Sequence, residues 1–269
     1  MPITIDPDNT INADCVGWWP MDEGTGTAAA DVSGLGNDGA LIGGSPTWGT
    51  WDTTAAVYLD GTSGGYIEVP ANASLNVSAA MTACIWAKRT APSINGALFH
   101  KGDLTGGYGD WCACYDGSYS VYPDFRIDYG NGGNYTGTGT VSDDVWHFIA
   151  VTFDGSEPKI YVDGSLVATG SYTSPLPTSA TPLNIGIYYD VPYAHVGGLA
   201  NARLWSRCLI DTEIAALYAD PFAGQYIAPP AATGSKGRRT RWLIDIPMVP
   251  NPLGEYVWRR EEDEILFLG

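Results

Sequence analysis

The chain has 269 residues, 45% of them hydrophobic and only 16% charged, so it has the apolar content of a packed core and not the composition of a disordered segment. Thirty-four glycines, eighteen prolines and 12% aromatic residues suit many turns and aromatic-rich strands better than helices. The net charge of -17 is unevenly placed. Residues 1 to 233 hold seven Lys and Arg against twenty-four Asp and Glu, whereas the last 36 residues balance six against six. An acidic body repels phosphate backbones and argues against a nucleic-acid partner.

In chain order, residues 1–15 read as an extended N-terminal arm rich in Asp, Asn and Pro. Met1 to Asp6 lacks the basic, apolar, small-residue order of a secretory leader. The expectation is therefore a route out of the cell other than secretion, of which release inside a virus particle at lysis is one. A body follows over 16–224. It opens with V-G-W-W-P-M-D-E-G-T-G, D-V-S-G-L-G-N-D-G-A-L and A-V-Y-L-D-G-T-S-G-G-Y-I-E-V-P, short β-type segments between Asp-Gly and Gly-rich turns. Asp-Gly pairs at 38–39, 60–61, 116–117, 154–155 and 163–164 predict strand reversals, because they supply the positive φ angles of tight hairpins. The run Val145 to Phe153 is apolar on both parities, as in a strand covered on two faces, and Lys159 to Ala168 reads as a hairpin around Asp163-Gly164. One helix is predicted, from an Asp211 N-cap through Asp220, with Ile214, Leu217 and Tyr218 as its apolar stripe and Pro221 as its stop.

From residue 225 the texture changes. A Pro- and Ala-rich linker precedes a basic cluster (Lys236, Arg238, Arg239, Arg241) and an aromatic end with Trp242, Trp258 and Phe267. A segment of that kind is expected to dock, either on other virion proteins or on further copies of the chain. No stretch approaches the roughly 18 apolar residues of a membrane span, so membrane insertion is not expected.

Several tempting motifs fail on context. G-L-G-N-D-G at 34–39 neither follows a parallel strand nor opens a helix, and G-T-S-G-G at 61–65 runs into a strand where a nucleophile elbow needs a helix. Five cysteines make no disulfide framework, and Cys112 with Cys114 lacks a second ligand pair for zinc, so all five are read as structural thiols. His100, His147 and His195 are far apart, with no H-x-x-x-H spacing.

The ordered segments resemble the laminin-G-like domains of the concanavalin A-like lectin and glucanase superfamily across roughly residues 16 to 222. The carriers are W-x-x-D-E-G-x-G at Trp19–Gly26, D-x-S-G-x-G-N-x-G-x-L at Asp31–Leu41, a slightly altered form of the family's W-x-H-x-A-x-T-x-D-G stretch at Trp146–Gly155, the hairpin Ile160–Gly164, and a closing glycine-led strand at Gly198–Trp205 with L-x-x-x-E-I-x-x-L-Y at Leu209–Tyr218. The resemblance implies an all-β, antiparallel jelly-roll β-sandwich, here with one short helix and extended N- and C-terminal arms. It also implies a calcium ion near the opening segment, for which Asp31, Ser33 and Asn37 are the candidate ligands; the competing reading is that they only satisfy backbone donors in a Gly-rich turn. The closing strand of the family usually carries Asp-Asp where this chain has Ala200-Asn201, which removes a carboxylate from that set.

The hydrolases of that superfamily place their acids on one strand as E-x-D-x-E, and no such run occurs in the chain. Aromatics interleaved with Gly, Asp and Asn, namely Tyr108, Trp111, Tyr115, Tyr129 and Tyr135, are the candidate saccharide platforms, against the alternative that they fill the sandwich interior. The expectation from sequence is a non-enzymatic virion structural or adhesion protein of bacteriophage type, a capsid decoration, head-fibre or tail component. It would display a carbohydrate-binding domain to host-surface or environmental polysaccharide. The alternative is a freestanding extracellular carbohydrate-binding module or a glucan-active hydrolase.

Overall fold

The structure is a computed structural model that describes residues 3–44, 46–61, 64–90, 96–102, 111–115, 123–127, 133–136, 141–188, 194–225, 249–250 and 256–257. The chain divides into two compact units, Met1–Ile227 and Ala228–Gly269. In the second, the described residues form a two-residue antiparallel ladder between Val249–Pro250 and Tyr256–Val257.

The first unit contains the strands β1 (Cys15–Trp19), β2 (Ala28–Ala29), β3 (Gly39–Ile42), β4 (Thr47–Trp51), β5 (Thr54–Asp60), β6 (Tyr66–Val69), β7 (Met81–Arg89) and β8 (Ala97–Lys101). They are followed by β9 (Trp111–Tyr115), β10 (Pro123–Ile127), β11 (Gly133–Thr136), β12 (Trp146–Phe153), β13 (Pro158–Val162), β14 (Ser165–Thr169), β15 (Leu183–Ile185), β16 (Val196–Trp205) and the helix α1 (Asp211–Ala219). The first sheet runs β14-β13-β12-β7-β16-β5-β4, with β1 also paired to β16; the second runs β11-β10-β9-β8-β15-β6-β3-β2. All the pairings are antiparallel, so the all-β jelly-roll sandwich expected from the sequence is the observed fold.

Side chains alternate along each strand, and one parity from each sheet meets the other across the interior. Ile85, Ile149 and Leu199 from the first sheet pack with Ile67, Phe99 and Leu183 from the second in one continuous core. β12 is buried along most of its length on both parities, as its sequence predicts, because the outer face of the first sheet is also covered. The hairpin at Asp163-Gly164 forms with positive φ at both residues, 48° and 74°. Asp38-Gly39 does not reverse the chain. Gly39 starts β3, and a Cβ there would lie 2.8 Å from Ile67 Cγ2, so glycine is present for close strand packing and not for turning. The Asp116-Gly117 pair lies outside the described residues.

Residues 3–14, read from the sequence as part of an extended arm, pack on the body. Ile3 and Ile11 are buried with Trp18, Trp205, Leu209, Ile214 and Leu217 on the outer face of the first sheet, and Ile5 forms a bridge with Gln225. The segment is held by Arg207, whose guanidinium donates to the carbonyls of Ala13 and Thr10 while pairing with Glu213 at 2.7 Å. The helix also starts differently. Its N-cap position is Ile210, whose N–H is accepted by the Glu213 carboxylate, and Asp211 instead accepts the Tyr161 hydroxyl at 2.7 Å. Ile214 and Leu217 are buried, but Tyr218 is 40% exposed and stacks on Trp86 with ring centroids 5.7 Å apart.

Candidate functional site

The turn between β2 and β3 carries the three residues expected to ligate calcium. Asp31 Oδ1 accepts the backbone N–H of Trp18 at 2.9 Å and of Ser33 at 2.8 Å, and Oδ2 accepts the Ser33 hydroxyl at 2.7 Å and the Asn37 N–H at 2.9 Å. The Asn37 side-chain amide donates to the Val16 carbonyl and to Ser74, and the Asn37 backbone carbonyl accepts the Trp19 indole N–H. Four donors, two on each oxygen, take up the four acceptor sites of the Asp31 carboxylate, which leaves it none to offer a cation. The set therefore does not fit calcium. Asp31, Ser33 and Asn37 come together, but as the knot that ties the Gly-rich turn to β1.

The aromatics expected to meet a saccharide separate. Trp111 and Tyr115 are each 1% exposed and belong to the core between the sheets, so neither offers a face to solvent. Their spacing puts both on one face of β9, and that face is the inner one because Cys112 and Cys114 take the other. Tyr115 is covered by Arg89, whose guanidinium carbon lies 5.7 Å from the ring centroid and which pairs with Asp143 at 2.7 Å. His195, fully buried, stacks on the same ring; neither of its nitrogens has a well-formed partner, and burial pushes its pKa down to about 4. Tyr135 lies in β11 with its backbone opposite Phe125. Tyr108 and Tyr129 lie outside the described residues, as do Arg238, Arg239, Arg241, Trp242, Trp258 and Phe267.

A different aromatic surface lies on the outer face of the first sheet. The register sets Trp146 of β12 opposite Lys88 of β7, Lys88 opposite Gly198 of β16, and Gly198 opposite Tyr58 of β5. A Cβ on Gly198 would lie 2.5 Å from the Trp146 ring and 3.1 Å from the Tyr58 ring, so the two aromatics meet over a glycine floor. Their centroids are 6.1 Å apart at 82°. Gly49 serves Tyr58 in the same way, since a Cβ there would meet its ring at 2.5 Å. The next row holds Trp86, which neighbours Trp51 at 5.1 Å and Tyr218, and its buried indole N–H has no partner. Tyr58, Trp86 and Trp146 are each partly exposed. Sequence reading missed this surface because its members come from four strands. The signal present was period two, which places Trp86 with Lys88 and Trp146 with Phe148 on single faces.

The other end of the same face is sealed. Arg203, 1% exposed, lies with its guanidinium 3.6 Å from the Trp18 ring centroid and donates to the carbonyls of Ala223 and Pro221 at 2.8 and 2.6 Å. No carboxylate forms an ion pair with it among the described residues, and burial lowers its pKa to about 10. Asn201 accepts the Trp18 indole N–H at 2.7 Å while its amide nitrogen donates to Pro221. An aspartate could make only the first of these bonds, which accounts for the amide where the related motif has an acid. Cys15 and Cys84, flanking this region, are pushed up to about 12 by burial; all five cysteines are free thiols.

Residues 60–215 match the family described as the Concanavalin A-like lectin/glucanases superfamily, of laminin-G type, and the chain belongs to it. Over 179 residues, 62% of the chain, it is 25% identical to the adhesion G-protein coupled receptor V1 of Danio rerio, of which it spans only 3%. Among solved structures it is similar to the binding domain of Paraclostridial Mosquitocidal Protein 1, with a TM-score of 0.64 and 14% identity over 80% of this chain and 56% of that one. Domain 4 of AbnA, a GH43 extracellular arabinanase from Geobacillus stearothermophilus in complex with arabinotriose, has a TM-score of 0.60 and 16% identity over 76% and 98%. The receptor-binding domain of botulinum neurotoxin D gives 0.60 and 14% over 79% and 54%. At these identities the likeness is one of fold, and the two toxin structures that share it are binding domains. No helix of the described residues is long and apolar enough to cross a membrane.

Proposed function

We propose that the chain is a non-enzymatic adhesion protein whose sandwich holds a saccharide on the outer face of its first sheet. The observation that carries this reading is the Tyr58–Trp146 pair set over Gly198, a partly exposed aromatic surface on the outer face of the first sheet. Flat aromatic faces stack on the apolar faces of sugar rings. The complex of the arabinanase domain with arabinotriose supports a saccharide as the ligand class, and the toxin domains support a role at cell surfaces. The absence of an E-x-D-x-E run supports binding without cleavage.

Placement on a virion, as a capsid decoration, head-fibre or tail component, is the finer part of the proposal. It is supported by the basic cluster and aromatic end of residues 234–269, a composition suited to docking on an acidic neighbour and then burying anchors. The test of binding is affinity electrophoresis of the full chain through arabinan, galactan and glucan, followed by chromatography of the polymers after long incubation. Retardation that disappears in Tyr58→Ala and Trp146→Ala, without release of shorter oligosaccharides, is expected. Equal retardation of those variants overturns the site, and oligosaccharide release overturns the non-enzymatic reading. Deletion after Gly234 is expected to leave a folded sandwich that no longer joins its particle, as seen by electron microscopy of the native assembly; normal assembly of the truncated chain overturns the virion placement.

A further inference from the structure

Resting on the saccharide reading of the Tyr58–Trp146 surface, we infer that Lys88 makes that surface select a glycan carrying a single carboxylate, a uronic or sialic acid type of residue in an otherwise neutral chain. The other lysines and arginines whose side chains are described are committed. Arg89 pairs with Asp143, Lys159 with Glu157 and Arg207 with Glu213, while Lys101 donates to the carbonyls of Ser179 and Thr181 and Arg203 to those of Pro221 and Ala223. Among the lysines and arginines whose side chains are described, Lys88 is the one that makes no ion pair or hydrogen bond.

Its place is specific. Lys88 shares the outer face of β7 with Trp86, and its backbone is opposite both Trp146 and Gly198. An uncommitted ammonium thus stands at the foot of an aromatic pair, partly exposed, on a body in which acids outnumber bases more than threefold. A sugar ring stacked on Trp146 or Tyr58 would bring a ring carboxylate within reach of that ammonium and form a charge-assisted hydrogen bond. The surrounding negative field repels a polyanion, so the preferred ligand bears one charge and not many.

The test uses the full-length chain and two oligosaccharides, a glucuronic acid-substituted xylo-oligosaccharide and sialyllactose, each beside its carboxyl-reduced form, with polygalacturonate as the polyanion. Titration calorimetry and tryptophan fluorescence are the readouts. At least one acidic oligosaccharide is expected to bind about tenfold more tightly than its reduced form, more tightly than polygalacturonate per site, and with a preference that shrinks as salt is raised. Lys88→Gln should remove the preference while leaving the reduced form bound, and Lys88→Arg should retain it. Equal binding of acidic and reduced forms, or an unchanged preference in Lys88→Gln, overturns the role of Lys88 and leaves the aromatic site standing. If neither these probes nor the neutral polymers bind in a manner sensitive to Trp146→Ala, the saccharide reading falls together with this one.

Discussion

The two ends of one sheet face use similar side chains for different ends. At the Trp18 end, a tryptophan, an arginine and an asparagine are buried with residues 3–14 and 221–225; the asparagine accepts the indole N–H, and it and the arginine donate to the covering carbonyls. At the Trp146 end, a tryptophan, a tyrosine and a lysine stand on a glycine floor, partly exposed, and the lysine has no partner. Aromatic and cationic residues thus become a structural clamp or an open surface according to whether backbone carbonyls arrive to meet their polar atoms.

The largest break in that comparison is expected at the clamp. Arg203→Ala leaves the Ala223 carbonyl without a donor, takes one of two donors from the Pro221 carbonyl and opens a cavity beside Trp18, and should cost about 3–5 kcal/mol in urea unfolding of the full chain. A loss below about 1 kcal/mol would mean that the sealed end is no better held than an exposed ion pair. Beneath the open end, His195 sets an acid limit. Above the ordinary histidine pKa of 6.5 the ring is neutral whether the chain is folded or not. As the pH falls from there toward 4, the unfolded chain takes up a proton that the folded ring refuses, so stability is lost by at most about 3 kcal/mol. His195→Leu should flatten the stability profile between pH 6.5 and 4 relative to the parent chain, and parallel profiles would exclude the histidine as its source.

Asp31→Ala removes the acceptor for three backbone N–H groups and should lower stability by about 2 kcal/mol, with the same loss in chelator and in added calcium. A thermal midpoint that rises with calcium in the parent and not in the variant would restore an ion to that turn. The smallest effect on folding belongs to the open surface. Trp146→Ala should cost about 1–2 kcal/mol because the ring is partly in water already, yet it should abolish saccharide retention. A folding cost as large as that of Arg203→Ala would make Trp146 a core residue and erase the contrast between the two ends.

The sandwich was legible because period two, Asp-Gly reversals and the spacing of the turns are local properties. Val145 to Phe153 and the Asp163-Gly164 hairpin needed no knowledge of distant partners. The site was less legible for the same reason. The alternation W-C-A-C-Y shows that Trp111 and Tyr115 share a face but does not say which face is inward, since the cysteines between them are also apolar. Tyr58, Lys88, Trp146 and Gly198 are neighbours only through the register of four strands, and Gly198 carries no chemical mark of the two rings that lie on it. Residues 3–14 look unstructured because their two anchors, Ile3 and Ile11, follow no strand or helix period; their partners lie some two hundred residues away.

The bridge between Ile5 and Gln225, with the Asp6 N–H bonded to the Gly224 carbonyl at 2.8 Å, brings the entrance and exit of the sandwich to adjacent points on one edge. A pull transmitted through both ends would load this seam first and peel it residue by residue, with Ile11 and the Arg207 contacts resisting next, before any central strand is strained. The sandwich is in that sense a bead with a built-in slack: tension would lengthen its attachment while the aromatic face kept its shape. Closing the seam with a short peptide and opening the chain at Asp163-Gly164 should give a circularly permuted sandwich that still folds, now gripped from a hairpin tip, and comparing the rupture forces of the two in single-molecule pulling would measure what that seam absorbs.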